Sequence, residues 1–509
     1  MGTTKGAPVG YRQVTIQTRS PTLAGQELHE FTSPFDQPDL PSSFIYAGPS
    51  SQDFQRGLLT HQAWYAWQST GLVPVQEKRW TYVFARPSVP GVATQADGWK
   101  VGYRLLNQGY LINPLLDVFT GDIIPHRTHT VRLVSESART YGPDGAYSEQ
   151  LTRYGYDAPL ATHPVTRKTL VRADQWRTTK TRFSTAYDTT AFLAGMRLAP
   201  GTDAYSLRQL QRRHVLVPLE EQVWTTQPGD SALVGVGVRR YNAQAQLRAT
   251  YQLAVPAPLP QGAGYVSPSL TATGNLLLDT RLQQREAYER YSPWGNLVQY
   301  RRPAARATSQ AWDETLGQLT AECQGAALGQ WAATSFEANG AGYWLYDVTH
   351  QVPGGQTGRS AYLLDGQASV WSAPLPAGDY ELTYWAQGPT PVRLWLGDSP
   401  ASLGAQVVRG GAGSGQQYRT RLHLTGPASV RLDTPAGSSA LLLDELRLCP
   451  VGTQLTSYTY DPLVGMTSQT DPTGRTVTYE YDGLGRLVRT RDEQGRILSQ
   501  QQYHYVSGK

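Results

Sequence analysis

Few residues in this chain stand at spacings that could do covalent chemistry. Its nine histidines are dispersed. His126 and His129 form an HxxH pair with Asp122 nearby. Residues three apart on a strand point to opposite faces, so one metal ion could not take both without a bend. His214 reads as a helix-end residue that complements the dipole. Glu220 and Glu221 are adjacent carboxylates, which diverge on a strand and suit a solvated edge better than an acid–base couple. No GxSxG elbow, Walker loop or HExxH motif is present. The legible binding chemistry is aromatic instead. Pyranose rings present C–H faces that stack on aromatic planes, and residues 331–418 are dense in Trp and Tyr. Tyr343 and Trp344 follow Gly342 and read as an exposed loop pair. Trp385 shares a strand face with Glu381, and Trp395 shares one with Arg393, which places both on outward faces. These four aromatics are the carbohydrate-binding candidates, and the chain as a whole reads as non-catalytic.

The elements that must position these residues follow from composition. At about 100–200 residues per domain, 509 residues make three or four domains. Charged residues are only 17%, while Gly (50), Pro (34), Tyr (30) and Trp (13) are abundant. That mix predicts an all-β, multi-domain chain with many turns and few short helices, and argues against bundles, coiled coils and doubly wound α/β folds. Lys and Arg total 45 with six Lys, so Arg dominates a net charge of +5. The basic residues are scattered singly, as on a solvated β surface, not gathered into a nucleic-acid face. No run of about 18 apolar residues could span a membrane. Residues 1–6 lack the apolar core of a signal peptide.

Along the chain, 1–130 reads as strands between Gly/Pro turns. The segment Leu58 to Trp67 fits either strand or short helix. Residues 131–310 continue the β pattern with one helix, N-capped by Asp203 and ending near Arg213. Residues 311–332 read as a connector with weak helical character. From 333 to 450, short alternating strands recur at the spacing of a β-sandwich.

Residues 451–509 contain a true repeat. Tyr458-Thr-Tyr460-Asp461 recurs as Tyr479-Glu-Tyr481-Asp482, Asp471 as Asp492 and Gly474 as Gly495, each displaced by 21 residues. Tyr479 and Tyr481 share one strand face. Asp482-x-x-Gly485 and Asp492-x-x-Gly495 follow type I turn chemistry, with Asp accepting turn N–H groups and Gly taking positive φ. Arg486 opens the return strand. The first copy, Asp461-Pro-Leu-Val-Gly465, places its Gly one residue late, so its turn must differ. Fainter echoes lie at Tyr241-Asn242, Tyr291-Ser292 and Tyr156-Asp157.

Tyr479-Glu-Tyr-Asp-Gly-Leu-Gly-Arg-Leu487 closely resembles the YD repeats of the bacterial Rhs/YD family. The resemblance implies repeat arrays that build β-sheet shells in secreted or cell-surface proteins, some of which enclose a toxic domain. The 333–450 segment opens on Ser335-Phe-Glu337 and closes on Leu443-Asp-Glu-Leu-Arg-Leu448, and is similar to jelly-roll carbohydrate-binding modules. That likeness implies a structural Ca²⁺ held by Glu337 and Asp444, where the first and last strands meet. It also implies that Cys323 and Cys449, just outside the module's ends, are neighbours able to form a disulfide. The expected function is a non-catalytic, secreted or surface YD-repeat protein whose module binds a polysaccharide or cell-surface glycan. A polymorphic-toxin shell fragment and a glycan-active enzyme are the alternatives.

Overall fold

A computed structural model describes residues 11–19, 24–38, 55–85, 95–104, 118–127, 130–157, 163–172, 174–189, 199–337, 342–401, 405–410 and 415–503. The described residues are all-β, built of antiparallel strands, with one α-helix among them, Asp203–Arg212. His129 lies outside the described residues. The chain divides into two compact units. One comprises residues 1–239, 243–245 and 252–283, the other 240–242, 246–251 and 284–509.

The first unit is a strand-to-neighbour meander. Gln13–Arg19, Ala24–Phe31, Leu59–Gln68, Gly71–Ala85, Thr130–Tyr141, Tyr147–Gly155, Thr166–Arg172, Gln175–Phe183 and Pro218–Gln227 each pair antiparallel with the next. Gln95–Arg104 and Val118–Arg127 form a separate hairpin. The ambiguous 58–67 segment is therefore strand. The helix begins one residue from the expected cap. Thr202 is the N-cap, its hydroxyl accepting the Tyr205 N–H at 3.3 Å. Asp203 sits in the first turn, and its carboxylate accepts the Leu276 N–H at 2.8 Å. Leu207 and Leu210 bury the helix's apolar side.

The second unit carries another meander with a domain set into it. Leu282–Tyr291, Leu297–Arg301, Thr308–Asp313 and Gln318–Gln324 pair in sequence order. Gln318–Gln324 then pairs directly with Gln454–Asp461, from Gln324↔Gln454 to Ala321↔Ser457. The ladder continues through Gly465–Thr470, Thr476–Tyr481, Leu487–Arg491 and Ile497–Gln500. The expected connector at 311–332 thus holds the end of one ladder strand and the whole of another. The Trp312–Leu319 stretch looks weakly helical in sequence because a β-bulge and a Gly317 turn break its period-2 pattern.

Residues 325–453 occupy the place of one turn and hold a β-sandwich. Its longer sheet runs, in spatial order, Gln351–Pro353, Ser360–Leu364, Leu441–Pro450, Gly378–Gln387, Gln416–Leu424 and Gln406–Gly410, with Ala332–Thr334 also paired to Leu441–Pro450. Its shorter sheet runs Trp344–Leu345, Ser369–Ser372, Val430–Asp433, Arg393–Leu396 and Ser399–Ala401. Leu382, Leu443, Leu448 and Tyr362 from the first sheet meet Val370, Val430 and Leu432 from the second in one core. Burying each such side chain contributes about 1.5–3 kcal/mol.

Candidate functional site

The repeat turns are built as their sequence requires. Asp482 Oδ1 accepts the N–H groups of Leu484 (2.9 Å) and Arg486 (3.0 Å), and its Oδ2 accepts Arg486 Nε at 2.8 Å. Asp492 repeats this with Gln494, Arg496 and the Arg496 guanidinium. Gly485 and Gly495 take φ of 72° and 76°, the left-handed region where Gly avoids the Cβ penalty. In both turns the Gly N–H returns to the Asp carbonyl at 2.9 Å. The late Gly of the first copy changes its turn. Leu463 takes φ 67° and stands fully exposed, and Gly465 takes φ 149°.

A second rule links one hairpin to the next. Tyr481 donates its hydroxyl to the Met466 carbonyl at 2.8 Å, and Tyr503 donates to Leu487 at 3.0 Å. Each acceptor lies at or next to the start of an earlier return strand. Tyr291 to Leu247 (2.7 Å) and Trp312 Nε1 to Leu297 (2.7 Å) make the same contact upstream. The ring thus stays in the sheet while its polar tip satisfies a carbonyl beside the preceding turn. Tyr479 lies on the same face, its hydroxyl 3.3 Å from Gln469 Oε1. The opposite face is small and polar. Ser457, Thr459, Ser468 and Thr470 are buried there, beneath the sandwich.

The longer sheet of the sandwich docks on that small polar face. Ser457 Oγ donates to Glu445, and Arg447 donates to the Leu455 carbonyl. Arg409 reaches Glu493 (3.0 Å) and the Thr473 carbonyl (3.1 Å). Gly474 lies so close to Gln417 that an added Cβ would sit 2.8 Å from Gln417 Nε2.

Packing within the sandwich and against the repeats corrects three of the four aromatic candidates. Trp344 is 3% exposed and belongs to the sandwich core, because its register opposite Ser372 turns it inward. Tyr343 packs edge-to-face on Trp331 at 5.5 Å, its hydroxyl 3.4 Å from the Gln310 carbonyl at the repeat junction. Gly342 marks close packing here, not a free loop tip, since a Cβ there would come within 1.8 Å of the Ala333 carbonyl. Trp385 does leave the core face as alternation requires. It lies opposite Gln417 on the face turned to the repeats and is only 9% exposed.

Trp395 stands on the free face. The shorter sheet aligns Leu345, Trp371, Arg431, Trp395 and Pro400 as cross-strand neighbours, one from each strand. The alternate positions Val370, Leu432 and Leu394 point to the core. The Arg431 guanidinium carbon lies 4.7 Å from the Trp371 ring centre and 4.1 Å from that of Trp395. Trp371 is held by its Nε1–H bond to Ser369 Oγ at 2.8 Å. Trp371 and Arg431 are the members that alternation alone could not assign, since the row exists only once strand order is known.

Glu337 and Asp444 approach one buried corner. Asp444 Oδ2 accepts the Thr357 N–H at 2.8 Å, and the Thr357 hydroxyl lies 3.0 Å from Glu445 Oε2. Glu337 Oε1 accepts the N–H groups of Arg359 (2.7 Å) and Ser360. Burial, then repulsion from Glu445, pushes the Asp444 carboxyl well above the usual range; burial also raises that of Glu337. Buried, mutually repelling hard-oxygen groups suit a Ca²⁺ ion chemically. Among the described residues no three His, Cys, Asp or Glu side chains form a ready metal cage. An ion here would therefore also need backbone carbonyls.

Cys323 and Cys449 join the same small cluster around Trp331, but both are free thiols. Burial pushes the Cys323 thiol up to about 12. Glu220 also departs from expectation. It is fully buried, accepting from Tyr265 (2.9 Å) and Gln222 (2.9 Å), with Arg182 at 3.5 Å. Arg182 and Gln222 also hold Pro268 and Ser267, so Glu220 anchors the 265–268 loop over its strand. Glu221 faces outward to Arg239 at 3.6 Å.

Residues 464–497 match the family model of the RHS repeat, so the chain carries an RHS repeat in the segment where the turn and tyrosine rules are most regular. A comparison with curated proteins found no match. Among solved structures the chain is similar to TcdB2-TccC3 without its hypervariable C-terminal region, at 9% identity and a TM-score of 0.37. That match covers 94% of this chain and 27% of the other, so this chain spans about a quarter of its length. It is also similar to a glycoside hydrolase family 43 arabinoxylan arabinofuranohydrolase from Bacillus subtilis, at 8% identity and a TM-score of 0.16, covering 86% and 95%. Superpositions this loose specify neither a shared fold nor a shared activity. No described helix is long and apolar enough to cross a membrane.

Proposed function

We propose that this is a non-catalytic YD-repeat protein of the cell surface or the extracellular medium, in which the repeat sheet is the scaffold and the inserted sandwich is a carbohydrate-recognition module. The observation that carries this reading is the row of Trp371, Arg431 and Trp395 on the sheet face that docking leaves free. One sheet of the sandwich is committed to the repeats through Arg409, Gln417 and Arg447. The other carries two half-buried indoles, Trp371 held by Ser369 and both in contact with the Arg431 guanidinium, on the face turned away from the repeats. Flat aromatic surface with flanking hydrogen-bond donors is what a sugar polymer needs for stacking and hydroxyl contacts. Glu337 and Asp444 serve in this reading as a structural Ca²⁺ corner that pins the 354–360 loop.

The test is retention of the full chain on a panel of immobilised polysaccharides. The double variant Trp371→Ala/Trp395→Ala should lose retention while keeping the parent's far-UV spectrum and docked sandwich. Failure of the parent chain to bind any polysaccharide would leave the sandwich as a spacer in the repeat sheet.

A further inference from the structure

The charge on the Trp371 and Trp395 face selects which kind of glycan it would take, a preference that rests on the carbohydrate reading of that face. Two guanidiniums share the platform. Arg393 donates Nε–H to Asp433 Oδ1 at 2.9 Å and an NH2 proton to the Thr434 carbonyl at 3.0 Å. Arg431 has its NH2 3.4 Å from Asp433 Oδ2. One carboxylate therefore serves two cations, and the cluster keeps a surplus positive charge. The Arg431 Nε–H is buried and has no acceptor among the described residues. Arg393 is the more open of the two, with its side chain 45% exposed, and its guanidinium carbon lies 5.7 Å from the Trp395 ring centre. Arg431 sits against both rings with its side chain 22% exposed, so its guanidinium is placed between the indoles before any ligand arrives.

We propose that this face binds acidic glycans, polymers whose sugars carry carboxylates. The two indoles belong to strands on either side of Val430–Asp433, and both ring centres lie within 5 Å of the Arg431 guanidinium between them. A chain laid along the row touches both indoles and sets one sugar over Arg431 between them. A carboxylate on that sugar meets the guanidinium fork of Arg431 or Arg393 and neutralises the surplus charge. A neutral sugar offers only hydroxyls to the same donors. Charge-assisted bonds from Arg to carboxylate are roughly twice as strong as neutral ones, so the preference belongs to the acidic polymer. A chain of net charge +5 does not oppose its approach.

The experiment compares oligogalacturonate with the same oligomer fully methyl-esterified, titrated calorimetrically into the full chain. The free acid should bind about 10-fold tighter at low salt, one charge-assisted contact's worth. That margin should shrink as NaCl screens the face. Arg393→Gln should remove most of the margin, and Trp395→Ala should weaken both ligands. Equal affinity for acid and ester, or a margin that Arg393→Gln leaves intact, overturns the acidic preference while the sugar platform stands. If neither oligomer nor any neutral polysaccharide binds, the carbohydrate reading itself has failed.

Discussion

Gly485 offers a clean measurement of what holds the repeats in register. It sits at φ 72° in the Asp482 turn, and a Cβ built there meets nothing within 4 Å. Gly485→Ala therefore adds no clash and tests backbone conformation alone. Holding an L-residue in the left-handed region costs about 1–2 kcal/mol, and the stiffer unfolded chain of Ala returns about 0.4–1 kcal/mol of that. The net loss is then about 1 kcal/mol, or about 2–4 °C in melting temperature for a unit of roughly 150–250 residues. The protein supplies its own reverse control. Ala245 occupies the equivalent place in the Asn242 turn at φ 68°, with the Asn242 N–H bonded to the Gln246 carbonyl at 2.9 Å. Ala245→Gly should release the same strain and raise the melting temperature by a similar or smaller amount. Gly485→Asn should fall between Ala and Gly, since Asn visits this region more readily. Scanning calorimetry of the full chain reads all three. If Gly485→Ala melts within about a degree of the parent, or Ala245→Gly lowers the transition, the turns do not set the register by backbone conformation.

Tyr481→Phe keeps the ring and loses the bond to the Met466 carbonyl, which should cost about 1 kcal/mol in denaturant unfolding; an unchanged midpoint would show the hydroxyl to be idle. Ca²⁺ should stabilise the chain, and more at pH 8 than at pH 5. Asp444's folded pKa is raised, so its favourable contribution is complete below the unfolded pKa near 3.8 and is lost as pH rises through the folded value, where the cation takes over. A chelator with no effect on melting at either pH would remove the site. The isolated 452–509 segment should show no cooperative transition, because Gln454–Asp461 loses both its partner Gln318–Gln324 and the covering sandwich; a sharp melt of that peptide would contradict this.

The repeat was legible because its constraints are local. Asp482, Gly485 and Arg486 meet within five residues, so the sequence spacing already contains the geometry, and the displaced Gly465 announced a different turn before any fold was known. The two-residue spacing likewise put Tyr479 and Tyr481 on one face. The upstream echoes were fainter because Ala245 replaces the turn Gly and Trp312 replaces the Tyr, although the same backbone bonds form. The 311–332 stretch was misread for the opposite reason. Its strand partner, Gln454–Asp461, lies beyond a whole inserted domain, and no local pattern reports a pairing at that separation.

The binding face was only half legible, and the reason is physical. Alternation divides a strand's residues into two sets, but it does not say which set is covered or by what. Trp385 and Trp395 have the same signature, an aromatic sharing a face with a charged residue. One faces the repeat sheet beside Gln417 and the other faces solvent beside Arg393, because the sandwich uses its longer sheet to dock. Gly342 misled in a similar way, since a glycine before two aromatics fits both a loop tip and a close backbone approach, and only the Ala333 carbonyl decides between them. Arg431 carried no sequence signal at all. Its role comes from sitting on the strand between two tryptophans that are 24 residues apart in the chain, a relation set by strand order. A binding row made of one residue per strand is a property of topology, so it becomes visible only when the order of the strands is known.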